Sequence, residues 1–168
     1  MRAFGQWILL LASSTFAAPL AAAQTTSTAP ATAVCPFADG QQSSVQYDRE
    51  STNARALHSD EVWMPGASPM ILLTQTALSV GNANVPIGAY SLYIIPVERQ
   101  WTLVVNKNVS PGAKYDQQQD IVRVPMQSGS LSEPVSGVLV VFAQVEPKQS
   151  NMRLYRAQKG VWASFHER

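Results

Sequence analysis

Residues 81–107 read GNANVPIGAYSLYIIPVERQWTLVVNK. After a turn-forming start, Tyr90, Leu92 and Ile94 fall on one side of an extended segment, and Ala89, Ser91, Tyr93 and Ile95 on the other. That two-residue period is the period of a strand. Pro96 has no N–H to give to a ladder and ends it. Val97–Gln100 supplies the connection, and a second strand follows with Trp101, Leu103 and Val105 on one face and Thr102, Val104 and Asn106 on the other. The stretch therefore predicts an antiparallel pair at the centre of an all-β fold.

Working outward, alternation continues to dominate over helical spacing. Upstream, Ser44–Asp48 predicts a short strand, and Met70–Val80 predicts one long strand or two separated by a bulge. Residues 50–60 have room for no more than a brief helical turn capped by Ser51 or Thr52. Downstream, a polar loop from Asn106 to Gln119 leads to a strand over Asp120–Gln127, a turn over Gly129–Pro134 and a β-branched strand over Val135–Glu146. Pro147–Asn151 reads as a hairpin loop, and Met152–Ala157 and Val161–Phe165 as two strands around Gln158-Lys159-Gly160. About seven to nine short strands with turn signals between them predict an antiparallel β-sandwich or barrel-like fold with little helix. Helical patterns long enough to link parallel strands are missing, which argues against an α/β sheet.

The N-terminus has the layout of a signal peptide over residues 1–23. Arg2 is the charged start, an apolar run opens at Trp7, and Ala21-Ala22-Ala23 is the small-residue cleavage site. Ser13, Ser14 and Pro19 interrupt the run, which is too short for a good membrane span. Cleavage after Ala23 implies export to the periplasm or the extracellular space. Residues 24–43 read as a flexible Thr/Ala/Pro-rich tether, leaving 44–168 as a single β domain. Cys35 is the only cysteine, so no intrachain disulfide exists. The Thr32-Ala33-Val34 before it is a poor lipidation signal, and a buried or idle thiol is the favoured reading. Without Arg2, basic and acidic residues balance at eleven each. No basic stripe is present to suit nucleic acid, and no basic amphipathic helix to hold a membrane surface.

Candidate chemistry is sparse. His58 and His166 stand far apart without a metal-ligand spacing, so no metal and no cofactor is expected. No nucleophile elbow and no phosphate-binding glycine loop occurs. Asp116, Asp120 and His58 are the acid–base candidates, and hairpin-tip Glu98 reads as solvated. A stronger grouping is Tyr47, Arg49, Arg55 and Trp63, since Arg offers a planar fork for anions and aromatic rings offer stacking faces. The bland alternative has the arginines paired with Asp48, Glu50 or Asp60 and the aromatics capping the sandwich. Asn106-Lys107 and Asp120-x-x-Arg123 read either as edge-strand charges or as residues converging on one rim.

With these residues in view, the chain resembles the bacterial family of domain of unknown function 2911. The resemblance rests on Tyr47-Asp48-Arg49, Arg55, Trp63 and Gly66-Ala67 in the first half. In the second it rests on Gly88-Ala89-Tyr90-Ser91-Leu92, Ile95-Pro96, Trp101-Thr102, Asn106-Lys107, Tyr115-Asp116 and Asp120-x-x-Arg123-Val124. The first half departs from the family pattern: Glu50 replaces a Pro, Ala54 a Gly, Met64 an Arg and Ser68 an Asn. The resemblance implies a shared fold more than a shared site, and it brings no assigned activity.

The residues point first to an exported domain that binds a small anionic or sugar-like ligand, or a partner protein, through Tyr47, Arg49, Arg55 and Trp63 with Lys107 and Arg123. The alternatives are a hydrolase using the Asp/His residues and a structural protein acting through an open sheet edge. On the leading reading Tyr90, Leu92, Trp101 and Leu103 are scaffold.

Overall fold

The computed structural model describes residues 30–49, 57–66 and 68–168. Two antiparallel sheets form a sandwich. The first sheet runs in the order β1 (Ala31–Pro36), β2 (Gln42–Tyr47), β3 (Met70–Thr74), β6 (Gly88–Ile95), β7 (Thr102–Asn106) and β8 (Asp120–Pro125). In the second, β5 (Ala83–Val85) and β4 (Leu78–Val80) lie beside β10 (Gln149–Glu167) and β9 (Gln127–Glu146). A single 3₁₀ turn, Gln117–Gln119, interrupts the loop before β8. Among the described residues no helix is long and apolar enough to cross a membrane.

The expected central pair is present: Leu92 stands opposite Val105 and Ile94 opposite Leu103. Tyr90, Leu92, Ile94, Trp101, Leu103 and Val105 all enter one core, facing Leu78, Val80, Met152, Leu154 and Phe165 of the second sheet. The Met70–Val80 run resolves into two strands, one in each sheet, with Gln75–Ala77 carrying the chain across. The chain crosses back at Met126, whose N–H donates to the Trp101 carbonyl at 2.7 Å while Pro125 ends β8 and Gln127 begins β9.

The segment read as a tether, 24–43, is not wholly one. Ala31–Pro36 pairs along its length with Gln42–Tyr47, so β1 forms the edge of the first sheet. Ala33 and Cys35 point inward and Thr32 and Val34 outward, an alternation masked by a low-hydrophobicity Thr/Ala composition. Cys35 is fully buried, and burial raises its thiol pKa while the Ser150 hydrogen bond opposes the rise. An intermolecular disulfide has no access there. The signal segment 1–23, residues 24–29 and the cap at Ser51 or Thr52 lie outside the described residues.

The long β9 and β10 are both folded. Ser164 Oγ donates to Asn151 Oδ1 at 2.9 Å, and the Arg153 guanidinium lies 5.6 Å from the Trp162 ring centroid. A straight strand, at about 3.3 Å per residue, would separate residues 151 and 164 by roughly 40 Å. Thus β10 is a hairpin turning at Ala157, which takes a positive φ of 50°. Its first arm pairs with Val138–Gln144 of β9 and its second with Gln127–Ser130. Leu131–Pro134 carries β9 around the hairpin tip. The turns expected at Gly129–Pro134 and Gln158-Lys159-Gly160 therefore occur inside elements whose strand conformation persists through them.

Candidate functional site

Two polar constellations stand out, and they differ in kind. The first lies on the outer face of the first sheet. Asp120 Oδ1 accepts from Asn106 Nδ2 at 2.7 Å, and its Oδ2 accepts from the Tyr115 hydroxyl at 2.6 Å and from Arg123 Nε at 2.7 Å. A second Arg123 nitrogen donates to the Tyr115 hydroxyl oxygen. Asn106 also donates to the Asp116 carbonyl and accepts from the Asn108 N–H. Residues three apart on a regular strand point to opposite faces. A bulge at Ile121, marked by the register shift between Val105 and Asn106, turns Asp120 to the Arg123 side.

This clasp holds the Lys107–Gln119 loop across the sheet. The Lys107 N–H donates to the Gln119 carbonyl, and the Ser91 hydroxyl to the Asn108 carbonyl. Tyr115 packs edge-on against Tyr93 with ring centroids 4.9 Å apart. Tyr93, Ser91 and Val104 are thereby buried although they face away from the main core. Burial and the Asp120 hydrogen bond push the Tyr115 pKa up to about 12. Asp116 caps the 3₁₀ turn by accepting from the Gln118 N–H.

The second constellation is a groove of about 550 Å³ at the seam between the sheets. Its walls are Val122–Pro125 of β8, the Gly81-Asn82-Ala83 turn and the second arm of β10, with Gln127, Trp162, Ser164 and His166 presenting side chains. The groove exists because the β10 ladder is broken on this edge. It runs to Trp162, opposite Gln127, and resumes at Phe165, opposite Val80. Ala163 and Ser164 have no strand beside them there. Gly81 sits against β8 so closely that a Cβ would fall 2.4 Å from Val124 Cγ1, and its φ is 59°. Trp162 Nε1 donates to Gln127 Oε1 at 2.8 Å, fixing the indole at the other end.

The residues expected to form a site divide accordingly. Tyr47 is 3% exposed and Trp63 8% exposed, and both belong to the hydrophobic core, so neither presents a stacking face as expected. Trp63 forms an isolated bridge with Ile94 and an edge contact with Trp101 at 6.2 Å. Arg156 lies over Trp63 and Lys159 over Trp101, so the indole pair seats the β10 hairpin tip. Arg49 is exposed, and Arg55, Glu50 and Ala54 lie outside the described residues. Lys107 is exposed at the start of the clasped loop. Arg123 belongs to the clasp and also borders the groove.

Of the acid–base candidates, Asp120 holds three donors, Asp116 caps a turn and His58 is exposed; hairpin-tip Glu98 is exposed as well. Among the described residues no three His, Cys, Asp or Glu side chains cluster as metal ligands. Sequence reasoning passed over Asn82, Gln127, Trp162 and Ser164, and weighed His166 only as a metal ligand. These five come from separate parts of the chain and form no local motif. The single local signal was the outward alternation of Trp162, Ser164 and His166 at the C-terminus.

A sequence-family model described as "Protein of unknown function (DUF2911)" matches residues 29–163. No curated protein and no solved structure matches the chain.

Proposed function

Because the chain belongs to the DUF2911 family, which carries no assigned activity, we propose from geometry that it is a binding module whose site is the seam groove. The carrying observation is the broken ladder edge with the partly exposed Trp162 indole beside it and Gln127, Ser164, His166 and Asn82 around it. An indole face with a few convergent polar groups suits a small polar ligand, and a volume near 550 Å³ falls within the usual range for ligand pockets. The ionisable residues in the lining are His166 and Arg123, whose guanidinium is already paired with Asp120, so the groove suits a neutral, polar ligand. Of the anionic or sugar-like ligands of the sequence reading this favours the sugar-like one, and it moves the site away from Tyr47 and Trp63.

Export belongs to the same proposal, supported by Arg2, the apolar run from Trp7 and Ala21-Ala22-Ala23. N-terminal sequencing of the secreted protein should begin at Gln24; an intact Met1 in the cell interior would overturn it. The binding proposal is tested by thermal shift with a panel of neutral sugars, sugar acids and short peptides. A ligand at one hundred times its Kd stabilises the native state by about 2.7 kcal/mol, a readily measured rise in midpoint. The rise should vanish in Trp162→Ala and survive in Arg49→Ala. A hit insensitive to Trp162 would place the site elsewhere.

A further inference from the structure

The interrupted ladder leaves one residue's main chain facing the groove. Along β10 the main chain alternates sides. The Glu167 N–H donates to the Lys148 carbonyl on the hairpin's first arm, and the Arg168 N–H donates to the Ala77 carbonyl just before β4. Trp162, Ser164 and His166 therefore share the direction of Arg168, toward β9 and β4. Trp162 meets Gln127 there, and His166 meets Ser79. Ser164 meets neither strand. Continued by one step, the β4 register would put Gly81 opposite it, and the β9 register would put Pro125 there. The two strand ends converge on one slot, with Gly81 against Val124, and among the described residues no main-chain hydrogen bond joins either to Ser164. One N–H donor and one C=O acceptor thus stand side by side at the groove wall.

Such a pair calls for a ligand with an acceptor and a donor on neighbouring atoms. Two neutral chemistries supply that: the planar edge of a cyclic amide or nucleobase, and the vicinal diol of a sugar. A planar edge pairs in the plane of the sheet, where the Gly81–Val124 contact stands. A puckered sugar ring can lie over the outer face instead and turn two adjacent hydroxyls down to Ser164. Val161, Ala163 and Phe165 are buried inward, so Trp162 and His166 flank Ser164 on that outer face. The indole, packed by Arg153 at 5.6 Å, offers an apolar surface to the C–H groups of the ring, and the Asn82 and Gln127 carboxamides border it. The Ser164 hydroxyl already donates to Asn151, and Arg123 is already paired with Asp120, so neither is free for the ligand. We infer that the seam groove binds a neutral saccharide through a vicinal diol, one hydroxyl accepting from the Ser164 N–H and its neighbour donating to the Ser164 carbonyl. This rests on the reading of the groove as the binding site and narrows its ligand to one class.

The test titrates the full chain with the methyl glycosides of glucose, mannose and galactose and with uridine, reading affinity by calorimetry and the Ser164 amide by its shift and hydrogen exchange. At least one glycoside should bind saturably, shift the Ser164 amide and slow its exchange. Removing either hydroxyl of the contacting diol, in the matching deoxy glycosides, should weaken binding at least tenfold. Ser164→Ala should keep the affinity within about twofold, because the side-chain hydroxyl is bonded to Asn151 and the main chain is unchanged. Glycoside binding that leaves the Ser164 amide unmoved, or that no single deoxy substitution weakens, overturns the inference. If the glycosides fail but uridine binds in a Trp162-dependent manner, the inference falls and the groove remains a site. If no probe perturbs the groove at tens of millimolar, both fall.

Discussion

The clasp around Asp120 and the groove beside Trp162 both border β8, yet they use polar residues in opposite ways. In the clasp the polar groups face one another: a carboxylate, a guanidinium, a phenol and a carboxamide satisfy each other over a loop. In the groove, Trp162 bonds to Gln127 and Ser164 to Asn151, while Asn82 and His166 border the interrupted edge of β10. Satisfied groups stabilise a fold, and exposed, oriented groups remain available to bind something. The motif-rich region is therefore architectural, and the motif-poor region is the better candidate for function.

The largest test of this contrast is Asp120→Ala. It leaves the fully buried Asn106 carboxamide and the Arg123 guanidinium short of an acceptor, which should cost about 2–4 kcal/mol by urea unfolding. Asp120→Asn, which keeps one acceptor, should cost less. A clasp that existed to hold ligand would show the reverse, with a near-neutral effect on stability.

Gly81→Ala comes next because it joins the two regions. The new methyl group would meet Val124 Cγ1 at the wall of the groove, in a left-handed backbone conformation. A loss of about 1–3 kcal/mol is expected in thermal or urea unfolding. If stability is unchanged, the seam is looser than this contact implies.

Legibility from the sequence follows the same division. The pairing of Tyr90–Ile95 with Trp101–Asn106 was readable because alternation and Pro96 are local signals. So were the turns at Gly129–Pro134 and Gln158–Gly160, although strand conformation continues through them. β1 was hidden because Ala33 and Cys35 bury little surface each and sit among Thr and Ala. Asn106-Lys107 and Asp120-x-x-Arg123 were legible as a set with two possible roles, whereas Tyr115 entered only through the family resemblance. Their role depended on the bulge at Ile121, which has no sequence signature. Trp63 and Tyr47 misled because aromatic residues near arginines look alike in sequence whether they line a pocket or a core.

A smaller effect with a distinctive pH dependence is expected of Tyr115→Phe. Removing the hydroxyl deprives Asp120 of one donor and Arg123 of one acceptor, a loss of about 1–2 kcal/mol at neutral pH. The Tyr115 pKa rises from an ordinary 10.0 to about 12 in the folded protein. Its contribution is thus complete below about pH 10 and lost as the pH rises through about 12, where the unfolded chain ionises first. Stability of the native sequence should fall over that alkaline window, and the fall should be shallower in Tyr115→Phe. Parallel profiles would mean that Tyr115 titrates normally and that the clasp is open to water.

Trp162 should respond in the opposite sense, and it sets the small end of the scale. Its ring is partly exposed, packed by Arg153 and bonded through Nε1 to Gln127. Replacement by Phe keeps a stacking face and removes that one exposed hydrogen bond, which should change stability by about 1 kcal/mol or less. Ligand affinity should fall modestly in Trp162→Phe and by tenfold or more in Trp162→Ala, measured by calorimetry with whichever probe binds the native sequence. Asp120→Asn, assayed beside them, should lose stability while retaining affinity. That crossed pattern separates a fold-holding cluster from a ligand-holding one. If Trp162→Phe costs as much stability as Asp120→Ala while affinity is unmoved, the groove is a second clasp and the distinction between the two regions disappears.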